Sequence, residues 1–147
     1  MDQDAMVNVN LAGGWRLIDA LVGRGFTVEA AFWARLSDEE RWILYLSSPF
    51  VGERGPGESY RLIHAILRDA PEWGIDAFTV SVFDVGNPMA NAAADLVRPK
   101  VAAGSVAVAN PRPYRGVTRC GGRSLGGTPV DGAFIYPPWE PGINPVG

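Results

Sequence analysis

One cysteine, one histidine and one lysine in 147 residues leave little material for the commonest protein chemistries. The lone Cys120 rules out an intramolecular disulfide and suits a reducing compartment. With His64 as the single histidine, any imidazole base or metal ligand must be that residue. HExxH, CxxC and GxGxxG spacings are all missing, as is a Ser-His-Asp order, so metalloprotease, redox and dinucleotide chemistry lack their signatures. No cofactor or metal is implied. No apolar run reaches the ~20 residues that span a bilayer, so no membrane role is expected. The start, Met1-Asp2-Gln3-Asp4, is acidic where a secretory leader is basic. The expected location is cytoplasmic.

Acidic residues are the next absence. None occurs from residue 96 to residue 130, where Arg98, Lys100, Arg112, Arg115, Arg119 and Arg123 give a net +6. Residues 1–95 hold seven Arg against fourteen Asp and Glu, a net −7. With Asp131 and Glu140 the total comes to −3. Such a split predicts either an anionic partner or internal pairing between the two blocks.

What is present suffices for one domain. A chain of this length buries about 68–70% of its unfolded surface, and its five Trp require a core or an interface. The spacing of Leu11, Trp15, Ile18, Leu21 and Val22 predicts a helix capped by Asn10, with its first turn weakened by Gly13 and Gly14. Alternation from Phe26 to Arg35 and from Arg41 to Ser47 predicts a β-hairpin around Asp38-Glu39-Glu40. Residues 52–57 read as a loop, 58–69 as an amphipathic helix, 75–83 as a strand and 90–97 as a helix capped by Asn87-Pro88. A strand is expected over 101–109, then a late hairpin of 117–120 with 130–136. The resulting class is α+β: a single domain of order α-β-β-α-β-α-β, with an antiparallel or mixed sheet, helices on one face and a Gly/Pro-rich hairpin extension. It divides into a lead-in (1–10), an α+β core (11–109), a basic segment (110–136) and a proline-rich tail (137–147).

The string Gly52-Glu53-Arg54-Gly55-Pro56-Gly57-Glu58-Ser59 has P-loop spacing, yet Glu58 stands where a lysine must reach the phosphates. It is expected to be a plain loop and cap. His64, Glu58 and Cys120 are the only candidates for catalysis, with Asp69 as a further helper. On a helix, His64 has Arg61 and Arg68 as neighbours, which disfavour a divalent metal. Arg119 and Arg123 flank Cys120 and would stabilise its thiolate.

The residue set points away from catalysis. The leading expectation is a non-enzymatic binding or accessory protein whose contacts come from Arg98, Lys100, Arg112, Tyr114, Arg115, Arg119, Arg123 and Trp139. Its partner is expected to be a protein, with nucleic acid the lesser alternative. A small hydrolase or nuclease centred on His64 is the competing reading. Trp33, Trp42 and Tyr45 offer more aromatic surface than one sheet face needs, so self-association through the 26–47 hairpin is a further expectation.

Overall fold

Asn10 opens helix α1 (Leu11–Gly23) because its side-chain oxygen accepts the Gly13 N–H at 2.8 Å. The computed structural model describes residues 10–37, 41–97, 118–137 and 139, with the backbone alone at 97 and 118–123. The Asn10 amide also donates to the Trp73 carbonyl at 2.7 Å, tying the start of α1 to a distant turn. Contrary to expectation, Gly13 and Gly14 belong to the regular helix. A Cβ on Gly13 would collide with the Trp73 carbonyl, and one on Gly14 with the Tyr136 hydroxyl. Close approach, not weak propensity, explains both glycines.

Strands β1 (Ala30–Leu36) and β2 (Ile43–Ser47) form the antiparallel pair foreseen from their alternation, with Ala30 opposite Ser47 and Ala34 opposite Ile43. Ser48 then caps helix α2 (Pro49–Arg54), its Oγ accepting the Phe50 N–H at 3.1 Å. Pro49 therefore starts a helix as well as ending a strand. Gly55 turns the chain at φ 90°, and helix α3 (Pro56–Asp69) follows. Two 3₁₀ turns, Pro71–Trp73 and Ala77–Thr79, lead into strand β3 (Val80–Phe83). Asn87 caps helix α4 (Pro88–Val97) by accepting from Met89 N–H at 2.9 Å. Strands β4 (Thr118–Leu125) and β5 (Thr128–Ile135) close the order, joined at Gly126 and Gly127. Both of those residues have positive φ, as a two-residue hairpin turn requires.

The five strands make one mixed sheet in the order β3-β2-β1-β5-β4, with β2 and β3 parallel and the other neighbours antiparallel. This is an α+β domain with a mixed sheet, as the order of elements implied. Its first face is packed by α1 and α3, whose Trp15, Ile18, Leu21, Ile63 and Ile66 meet Trp33, Leu44, Leu46 and Phe134. Full burial of each large side chain contributes about 1.5–3 kcal/mol. The second face carries Ala30, Phe32, Ala34, Tyr45, Ala133 and Ile135 under Met89, Ala90 and Ala93 of α4. Phe32, Tyr45 and Phe83 stack along it at 5.3 and 5.2 Å.

Several expectations change. Helices cover both faces of the sheet, because apolar side chains leave β1 in both directions and each set needs a lid. Residues 52–54 continue a helix instead of forming a loop. Of the 75–83 strand only Val80–Phe83 joins the sheet; Asp76 caps a 3₁₀ turn before it. The late hairpin is no appendage, since β5 pairs with β1 and sits inside the sheet. With β5 beside β1 and β3 beside β2, both hairpin strands are interior, and Trp33, Trp42 and Tyr45 are 3%, 9% and 8% exposed. The spare aromatic surface that suggested self-association through 26–47 is consumed within the chain. The strand expected over 101–109 and the turn at 38–40 lie outside the described residues.

Candidate functional site

A concavity lies at the end of the sheet where β1 begins and β2, β3 and β5 finish. It is a cavity of about 270 Å³ between α1 on one side and α4 on the other. Trp15 and Ile18 come from α1, Ala90, Asn91 and Ala94 from α4, and Ala30, Ala31 and Ser47 from the strand ends. Past β5 the chain adds Tyr136, Pro137 and Trp139. The space exists because alanines occupy the positions where α4 and β1 face each other; larger side chains there would fill it.

Tyr136 anchors this end. The Trp33 indole N–H donates to its Oη at 2.9 Å, and the Tyr136 hydroxyl donates onward to the Leu11 carbonyl at 2.7 Å. Burial pushes the Tyr136 hydroxyl well above its ordinary pKa, with the Trp33 bond pulling weakly the other way. It is therefore a neutral structural group at physiological pH. Three residues on, the Trp139 indole N–H donates to Asp19 Oδ1 at 3.0 Å, which lays the indole over α1 beside the cavity.

Polar residues stand beside the apolar ones in the lining: Ser47, which is buried, and Asn91 and Glu29, which are exposed. Glu29 is held beside Ser47 by its own backbone N–H, which donates to the Ser47 carbonyl at 2.8 Å. Among the described residues Glu29 has no ion-pair partner, and no basic side chain lines the cavity.

The expected site residues fall elsewhere. His64 is exposed on α3, edge-on to Phe78 with ring centroids 6.0 Å apart. Glu58 pairs with Arg61 at 2.8 Å, one turn away on the same exposed helix. Neither lines the cavity. Cys120 is on β4 opposite Ala133, with Arg119 opposite Phe134 and Arg123 opposite Val130. Among the described strands β4 is an outer one. Arg98, Lys100, Arg112, Tyr114 and Arg115 lie outside the described residues. Trp139 is partly buried against the first core cluster. No group of three His, Cys, Asp or Glu among the described residues is placed to hold a metal ion, and none of their helices is long and apolar enough to cross a membrane.

Sequence reasoning missed the cavity residues. Glu29 and Ser47 read as ordinary hairpin positions, and Ala90 and Ala94 as good helix formers. The available signal was the clustering of small residues at Ala30-Ala31 and along α4, in a chain otherwise rich in large aromatics. No protein family, no curated protein and no solved structure matches this chain.

Proposed function

We propose that this is a non-enzymatic binding protein that meets an acidic protein surface through its basic 98–123 segment and its proline-rich tail. The observation that carries the reading is the junction of charge and topology. The acid-free stretch from residue 96 to residue 130 runs into β4, an outer strand among those described, and places Arg119 and Arg123 there. A +6 segment on a chain of net −3 favours a partner with a concentrated negative patch. Within the tail Trp139 packs on its own domain and donates to Asp19, so the docking reading there rests on the prolines of 137–147, which favour an extended segment. The exposed His64, with Phe78 as its ring neighbour, gives the hydrolytic alternative no comparable support.

Affinity capture with the intact protein tests this. Changing Arg115, Arg119 and Arg123 together to Glu is expected to abolish recovery of the partner while thermal unfolding stays cooperative. Unchanged recovery from the triple variant removes the proposal. Recovery of nucleic acid with a steep salt dependence would favour the phosphate-binding alternative instead.

A further inference from the structure

We infer that the cavity between α1 and α4 is a binding site for a small apolar amine, with Glu29 facing its ammonium group. Size is the first argument. An apolar cavity of about 150 Å³ is enough to take benzene, so about 270 Å³ admits an aromatic or branched aliphatic body with a short arm. The walls suit such a body, since Trp15, Ile18 and Trp139 meet the alanines of α4 across the space.

Charge chooses the head group. Glu29 contributes the single ionisable carboxylate of the lining and lacks an ion-pair partner among the described residues, while Asp19 stands behind Trp139 at 3.0 Å. Among the described residues no Lys, Arg or His lines the site, so a carboxylate or phosphate ligand would meet the Glu29 carboxylate with no cation described beside it. An ammonium group gains the Glu29 carboxylate in a lining that also holds the aromatic rings of Trp15 and Trp139. Ser47, only 2% exposed yet part of the lining, offers a hydroxyl oxygen to the same donor. Tyr136 is spoken for by Trp33 and Leu11, so it shapes the wall without recognising the ligand.

The inference shares Pro137 and Trp139 of the tail with the partner proposal, whereas Glu29, Ser47 and Ala94 belong to it alone. Phenethylamine, phenethyl alcohol and hydrocinnamate share one ring and differ in the head group. Titrated into the full-length protein and followed by tryptophan fluorescence, phenethylamine is expected to bind saturably. The alcohol should bind about tenfold more weakly and the acid more weakly still. Glu29→Gln should erase the preference of amine over alcohol without abolishing binding, and Ala94→Leu should abolish binding by filling the space. Equal affinity for the three compounds, or no saturable binding of phenethylamine to the cooperatively folded protein, would overturn the inference. So would a Glu29→Gln variant that keeps the amine preference. Partner capture by the wild-type chain is unaffected by any of these results, which separates this failure from that of the partner proposal.

Discussion

The two faces of the sheet solve the same packing problem with opposite materials. The α1/α3 face is filled by Trp15, Trp33, Trp42, Phe134 and Tyr136, and its polar atoms are closed by the Trp33–Tyr136–Leu11 hydrogen-bond chain. The α4 face is built on Ala30, Ala34, Ala90, Ala93 and Ala133, with large rings confined to Phe32, Tyr45 and Phe83. Helices can approach a sheet through small residues, but at the sheet's end, where Phe32 and Tyr45 no longer reach, nothing fills the gap. Bulk on one face gives stability; smallness on the other leaves room for something else.

The largest expected break of that contrast is Trp33→Ala. It removes a nearly fully buried indole and leaves the Tyr136 hydroxyl one partner short, so urea unfolding should show a loss of about 3–5 kcal/mol. Next comes Tyr136→Phe, which keeps the ring but leaves the buried Trp33 N–H without its acceptor, for a loss of about 1–3 kcal/mol. The same variant changes the alkaline behaviour. The folded protein holds the Tyr136 proton above the ordinary value of 10.0, whereas the unfolded chain releases it there. The unfolded state therefore binds fewer protons above pH 10, and wild-type stability should fall as pH rises past that point. Tyr136→Phe should remove this part of the slope in chemical denaturation measured on either side of pH 10.

A matched pair of enlargements sharpens the contrast further. Gly14→Ala adds one methyl group against the Tyr136 hydroxyl on the crowded face and should lower stability by about 1–3 kcal/mol. Ala94→Leu adds more volume, but into the cavity, and should change stability by no more than about 0.5 kcal/mol. Thermal unfolding of the two variants side by side reads the difference. If Ala94→Leu proves the worse of the pair, the cavity is not the open space described.

Local signals in the sequence carried much of this fold. The β1–β2 hairpin and the caps at Asn10 and Asn87 each follow from side chains within a few residues, whereas the late hairpin turns at Gly126 and Gly127, inside the span left between its expected strands. What the sequence hid were contacts made over long separations. Gly14 is explained by Tyr136, and Gly13 by Trp73, neither of which local propensity can anticipate. The position of β5 beside β1 is likewise long-range and sets Phe134 against Trp42, while Tyr45 is closed by Phe32, Phe83 and α4. The cavity was hidden for a related reason: it is made of residues chosen for what they leave empty. Alanine in a helix reads as propensity, and only the facing Ala30 and Ser47 turn it into volume.

The claim that small residues hold this site open for an amine is tested most directly by thermal shift. At phenethylamine near 100 times its Kd, mass action adds about 2.7 kcal/mol to the folded state. At roughly 2–4 °C per kcal/mol, the wild-type melting temperature should rise by several degrees. Ala94→Leu, melting close to wild type without ligand, should show no rise. An equal rise in both proteins would place the amine elsewhere and contradict the account.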